Sequence, residues 1–297
     1  MTRLRIGAGV AARIEETYEP NFNAVRFFPD WVPAVVEEHA GWLAPDHYDP
    51  ASGMLKLSVH SWLLSVGGKR ILIDACVGNH KTRAARKMWD MLDTPWLARL
   101  AAAGARPEQI DMVMCTHLHV DHIGWNTRLD NGRWVPTFPN AKYVFSTQDY
   151  EHYLALDRDP ATGPVNGGSF RDSVLPVVEA GLAQMVTAAT ELGKSLALDE
   201  NLLVEPAPGH TPGTIAIKFE SKGERAVFCG DILHHALQVY HPEWNSFACA
   251  DAANARLSRR KVLEHCAGGA LLMPAHFGAP FACRIENQGN GFVPRFV

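Results

Sequence analysis

Leu55, Leu57 and Val59 alternate with Lys56, Ser58 and His60, the period of two that predicts a strand with one buried face. Ser65 to Arg70, with Gly67-Gly68 at its centre, predicts a hairpin turn, and Ile71 to Asp74 the returning strand. Short apolar runs predict further strands at 110–115, 141–145, 202–204, 214–219, 226–229 and 270–273. Helices are predicted between them. Thr94-Pro95 to Gly104 has a cap, a first-turn proline and a terminating glycine. Thr147 to Leu156 and Asp251 to Cys266 predict two more, the second stopped by Gly268-Gly269. From Ser173 to Leu192, the residues Val174, Val178, Leu182, Met185 and Leu192 recur near helical spacing and predict one long helix, with Pro176 in its first turn. The first 50 residues differ. Prolines at 20, 29, 33, 45 and 50 stand among Phe22, Phe27, Phe28, Trp31, Trp42 and Tyr48, and predict an irregular arm. Its aromatic rings need cover, as an arm packed on its own domain, as a lid, or as the contact of a homodimer. Phe27, Phe28 and Trp31 are the lid candidates. Two β-rich halves around a helical middle predict one layered α+β domain over 1–297, with 1–50 packed on it.

Composition narrows the partners. The chain has 297 residues, 47% hydrophobic and 20% charged, with 28 Lys+Arg against 32 Asp+Glu and a net charge of −4. That balance excludes a general basic surface, so no nucleic-acid partner is expected. No apolar run approaches the roughly 18 residues of a membrane span. Arg13 and Glu15 interrupt the apolar start, so a cytoplasmic protein is expected. The 6 cysteines form no CxxC pair and read as buried free thiols. Histidine is plentiful, at 14. Of these, His39, His47, His80, His152, His241 and His265 read as surface or loop residues, and His60 as a residue of the strand face with Ser58 and Trp62, with the site mouth as the alternative.

The chemistry concentrates in Thr116-His117-Leu118-His119-Val120-Asp121-His122, directly after the apolar strand Met112–Cys115. A strand end feeding a loop can aim such side chains at one point, and packing costly titratable groups together has little structural benefit without a cation. Imidazole and carboxylate suit zinc, with manganese, iron or cobalt as alternatives. Three further segments place a ligand type beside an apolar strand. They are Pro208-Gly209-His210-Thr211-Pro212-Gly213, Cys229-Gly230-Asp231 and Pro274-Ala275-His276. Asp74, Thr116 and Thr211 are candidates for orienting these imidazoles. Trp125 is balanced between pocket wall and core, and Cys229 reads as core.

With this set, His117-x-His119-x-Asp121-His122 followed by His210, Asp231 and His276, the chain resembles the metallo-β-lactamase superfamily of metal-dependent hydrolases over about residues 55 to 280. The resemblance implies a four-layer αββα sandwich and two divalent metal ions. His117, His119 and His210 would hold the first, Asp121, His122 and His276 the second, and Asp231 both. It further implies attack on a small-molecule substrate by a metal-bridging hydroxide. The antibiotic-hydrolysing members lack the bridging aspartate, so Asp231 counts against that activity. The stretches Trp96–Gly104, Pro107–Asp111, Thr116–Gly124 and Phe138–Ala141 resemble the N-acyl homoserine lactonase and methyl parathion hydrolase branch. The expectation is therefore a lactonase or esterase with Asp121, Asp231 and His234 as catalytic residues. His234 stands where those lactonases carry a substrate-facing tyrosine, and neighbouring His235 competes for that role. A phosphotriesterase, or a mononuclear-iron sulfur dioxygenase using His117, His210 and Asp231, are the alternatives on the same fold.

Overall fold

The computed structural model describes residues 2–187, 196–197 and 200–297. The chain divides into two compact units, Met1–Thr17 with Val59–Ala188, and Tyr18–Ser58 with Ala189–Val297. The first ten strands in chain order are β1 (Arg3–Ile6), β2 (Gly9–Asn23), β3 (Tyr48–Asp49), β4 (Met54–Val66), β5 (Lys69–Ile73), β6 (Met112–Met114), β7 (Thr127–Asp130), β8 (Arg133–Pro136), β9 (Lys142–Ser146) and β10 (Ala183–Val186).

The sheet of the first unit runs β1-β2-β4-β5-β6-β9-β10. β4 and β5 are antiparallel, whereas β5, β6, β9 and β10 are parallel neighbours. Parallel strands covered on both faces read as continuous apolar runs. Leu72, Val113, Met114, Tyr143, Val144 and Phe145 are accordingly all buried. The helix Trp96–Ala103 buries Trp96, Leu100 and Ala103 on one face and ends at Gly104, whose φ of 104° is left-handed. The parallel run has one consequence for function. The carboxyl ends of β5, β6 and β9 open on one edge, and the segments leaving them carry Asp74, Thr116–His122 and, in the first turn of the helix Thr147–Arg158, Asp149. That edge is where parallel sheets place ligand chemistry.

The second unit adds β11 (Leu196–Ala197), β12 (Leu202–Pro206), β13 (Ile215–Ser221), β14 (Glu224–Gly230), β15 (Leu271–Pro274), β16 (Cys283–Gln288) and β17 (Gly291–Phe296), neighbours in that order. β14 is antiparallel to β13 and parallel to β15. The start of β13 and the ends of β14 and β15 therefore share an edge, with His210 ahead of β13 and Asp231 and His276 just past β14 and β15. The helix Ala252–Ala267 is capped by Asp251, whose carboxylate accepts from the N–H groups of Ala253 and Asn254. It packs Val262, Leu263 and Cys266 against Val227, Cys229, Leu272 and Phe277. Phe27, Phe28, Val35 and Leu43 form a further core with Leu55, Leu57, Leu237 and Trp244. Among the described residues no helix is long and apolar enough to cross a membrane.

Three expectations need correction. The arm is not irregular throughout, because β1 and the 15-residue β2 occupy much of its first half. The reason is local: no proline precedes Pro20, and Ala11, Ala12, Ile14 and Glu16 are buried in the sheet. The helix expected over 173–192 is replaced by two short helices, Ser169–Ser173 and Leu175–Glu179, and by β10. Gly181, at φ 69°, ends the helical run, and Met185 lies in the strand. Residues 188–192 of that stretch lie outside the described residues. Lastly, His39 and His47 are buried rather than surface residues. His47 is enclosed by the rings of Trp42, His235, Phe277 and Phe296.

Candidate metal centre

Four of the expected ligands lie in the first unit, and the ring orientations of two of them, His117 and His122, follow from one carboxylate. Asp74 sits at φ 57° just past β5. Its Oδ1 accepts the Thr116 backbone N–H at 2.7 Å, and its two oxygens lie 3.0 and 2.9 Å from the Thr116 hydroxyl. That hydroxyl gives its one proton to Asp74 and so accepts from His117 Nδ1, 3.1 Å away. His122 Nδ1 donates to Asp74 Oδ2 at 2.9 Å. Both imidazoles thus keep their proton on Nδ1 and present the Nε2 lone pair on the other side of the ring. His117 Nε2 lies 3.1 Å from His119 Nδ1, and His122 Nε2 lies 4.0 Å from Asp121 Oδ1.

The second unit holds the other three. His276 Nδ1 donates to the Ser58 carbonyl at 2.7 Å, and Ser58 N–H donates back to the His276 carbonyl. This leaves the Nε2 lone pair of His276 facing Asp231 Oδ1 at 2.9 Å. His210 Nε2 approaches the other oxygen, Asp231 Oδ2, at 3.1 Å. Burial opposes charge on His210, yet the Asp231 carboxylate overrides it and raises the imidazole pKa to about 9. The turn that carries His210 depends on Gly209. Its φ is 134°, and a Cβ there would lie 2.1 Å from the Ala255 backbone nitrogen.

The donor set fits divalent metal. An imidazole lone pair set 2.9 Å from a carboxylate oxygen is repulsive unless a proton or a cation lies between them. The neutral imidazoles of His117, His122 and His276, whose far nitrogens are hydrogen-bonded, together with carboxylates, are the ligands that zinc and its neighbours take.

His234, expected in the pocket, has Nε2 at 3.2 Å from Asp231 Oδ2 and 3.4 Å from Ser246 Oγ. His235 turns away, with Nε2 on the His47 carbonyl at 3.0 Å and Nδ1 accepting from Leu237 N–H. Burial depresses both imidazoles to about 4, Asp231 opposing it at His234 and the His47 carbonyl at His235. His60 is buried on β4 against Trp62. Trp125 stacks on Trp96 at 5.1 Å and belongs to the core, as does Cys229. The Thr211 hydroxyl pairs with that of Thr214 across its turn.

Sequence reasoning missed several supporting residues. Glu16 is fully buried and accepts from the N–H groups of Val77, Gly78 and the Trp125 indole. Asp149 accepts from Leu118 N–H inside the histidine loop. Gln238 Oε1 accepts from the backbone N–H groups of His234 and His235. Each is a lone polar residue in an ordinary element, with no motif around it to mark it.

Comparison with known proteins gives the family and the fold. The sequence model of the metallo-beta-lactamase superfamily matches residues 55–265. A ribonuclease of Thermus thermophilus is 26% identical over 172 residues, which is 57% of this chain and 34% of that protein. An uncharacterized protein of Bacillus subtilis, YobT, is 29% identical over 107 residues, 35% of this chain and 39% of its own. The chain thus spans well under half the length of these curated relatives. Among solved structures, the hydrolase AbOPH of the beta lactamase superfamily superposes with a TM-score of 0.79 at 23% identity, over 99% of this chain and 96% of that one. AidC, a dizinc quorum-quenching lactonase in complex with a product, gives 0.76 at 20% identity, over 100% and 97%. At these identities the structural likeness speaks for the fold.

Proposed function

The chain belongs to the metallo-β-lactamase superfamily, and from that premise we propose that it is a dinuclear metal-dependent hydrolase of lactones or esters that carry an apolar group. One observation carries the dinuclear reading. The two oxygens of Asp231 address different histidines, His210 on Oδ2 and His276 on Oδ1. A carboxylate so divided is set to bridge. In this proposal the two ligand sets act as one centre within a single domain. His117, His119 and His210 hold one ion, Asp121, His122 and His276 the other, and Asp231 both. Two divalent ions, zinc foremost, supply Lewis acidity and a water of near-neutral pKa.

The chain's own groups do the rest. Asp121 and Asp231 would hold the ions and offset their positive charge. Asp74, Thr116 and Ser58 keep protons on the far nitrogens, so that ligand lone pairs need no rearrangement. His234 is neutral near pH 7 and carries its proton on Nε2 beside Asp231. From there it can donate a hydrogen bond to a substrate oxygen or to the departing one. The apolar preference rests on a cavity of about 580 Å³ lined by Phe22, Phe27, Met54 and Phe247, with Arg26 and the amides of Asn21 and Asn23. The Phe27 ring meets the His234 ring edge-on at 5.5 Å. An acyl or aryl group seated there lies next to the proposed reacting groups.

The test is elemental analysis with a hydrolysis panel on metal-loaded protein: lactones, aryl esters, phosphotriesters, sulfate esters, β-lactams and RNA. Two divalent ions per chain, with preference for lactones or esters of longer apolar groups, is the expected result. Asp231→Ala should lose one ion or most turnover while keeping the fold. One iron per chain with no hydrolysis overturns the reading.

A further inference from the structure

Away from the seven ligands, the second unit holds another imidazole pair. His39 closes the helix Ala34–Glu38 and His241 closes the helix Leu237–Tyr240. Their Nε2 atoms face each other at 3.4 Å. The Glu38 carboxylate completes a trio whose ligand atoms all lie within 4.8 Å of one another. We propose that Glu38, His39 and His241 form a separate site for a transition-metal dication of the zinc, nickel or copper class, one that fastens the arm to the turn after Leu237–Tyr240.

The spacing is the first argument. Two nitrogens bound at about 2.0–2.1 Å to a tetrahedral ion lie about 3.3–3.4 Å apart. The second is the far side of His241. Its Nδ1 lies 3.8 Å from Glu243 Oε1, longer than a hydrogen bond but near enough for the carboxylate to favour a proton there and leave Nε2 for the ion. The third is the state of His39. It is buried, with its ring against Trp42 and Tyr240, which holds its Nε2 toward His241. Glu38 is exposed and free to swing inward. Two imidazoles with one carboxylate favour zinc, nickel or copper over magnesium or calcium.

One group competes with the ion. The Trp42 indole N–H donates to His39 Nδ1 at 3.3 Å, which places the His39 proton on Nε2. Ion capture moves that proton to Nδ1 and breaks the Trp42 hydrogen bond. The indole is therefore both the competitor and a local reporter. The site also reaches the proposed catalytic residues. The His241 ring stacks on Trp244 at 4.4 Å, the Trp244 carbonyl accepts from Gln238 Nε2, and Gln238 Oε1 holds the His234 backbone N–H.

The experiment is titration of the full-length protein with zinc and, for fluorescence, with copper(II). Wild type should bind one more zinc ion than His39→Ala or His241→Ala, whatever number the seven-ligand centre takes. This difference stands even if the hydrolase reading fails. Glu38→Gln, which keeps both imidazoles, should weaken that extra ion about tenfold. Trp42→Phe should bind it several-fold more tightly, because the competing donor is gone. Copper should quench indole emission with the extra equivalent in wild type, and less in Trp42→Phe. Equal zinc counts in wild type and both histidine variants overturn the proposal. So does an unchanged or weaker extra ion in Trp42→Phe, which would leave the pair as a hydrogen-bonded relay from Trp42.

Discussion

His234 and His235 show how little separates a proposed catalytic group from a structural one. They are adjacent, equally buried and equally depressed in pKa, yet one ring faces Asp231 and the other grips the His47 carbonyl. His234→Ala should therefore lower turnover on the order of 10²-fold with metal content intact. His235→Ala should instead leave a buried carbonyl and N–H unpaired and cost about 1–3 kcal/mol of stability. Steady-state rates beside urea midpoints for the two variants check this, and a reversed assignment would remove His234 from the reaction. Glu16 is a second buried titrating group. Burial raises its carboxyl pKa from 4.5 to about 7 against three hydrogen-bond donors. The native state then holds a proton that the unfolded chain has released, so stability falls as pH rises from about 4.5 through 7. The full shift is worth about 3 kcal/mol. Chelated wild type should lose stability between pH 5 and 7 relative to Glu16→Gln, and parallel pH profiles of the two denaturation midpoints would count against it. The ligand residues were legible because four strand ends each carried a ligand type. Glu16, Gln238 and Ser246 were not, because a lone polar residue gains its role only from neighbours far along the chain.

Strand ends do the positioning. Because β5, β6 and β9 are parallel, an aspartate after one strand can reach a histidine after the next, and Asp74 does so with Thr116 and His122. Asp74→Asn replaces one acceptor oxygen with an NH₂ group facing two donors. His122 then gains by moving its proton to Nε2, which removes it as a ligand. The variant should fold and bind its most weakly held ion about 10–100-fold less tightly. Chelator-competition titration with circular dichroism measures this, and unchanged affinity would exclude Asp74 from orienting the site. The strands of both sheets were readable from two-fold alternation and apolar runs. The hairpin β7–β8 went unread although Asn131-Gly132, both at positive φ, is a strong turn signal. The stretch after 173 departs from its periodicity for a different reason. Val174, Val178 and Leu182 are spaced for a helix, but Gly181 and the pairing of β10 with β9 prevail over local periodicity.

The division of the chain was not legible at all. Tyr18–Ser58 joins residues more than a hundred positions later in one unit, and no local pattern encodes such a pairing. Only long-range contacts such as Phe28 with Trp244, or His39 with His241, show it. The proposed centre makes this division testable. It takes His117, His119, Asp121 and His122 from one unit and His210, Asp231 and His276 from the other, so its ions bind tightly only when both units are folded. Anything that binds the native state alone stabilises it by RT ln(1 + [L]/Kd), about 4 kcal/mol per site at a thousandfold excess over Kd. The two units should then unfold in one transition when loaded. Chelation should remove that shared term, lower Tm and let the units separate in stability. Hydrogen exchange at amides of β6 and of β14 reads each unit independently. Protection in both strands should rise together with zinc and diverge after chelation. Zinc that protects β14 while leaving β6 unchanged would mean that the ligands of the first unit take no part in the centre.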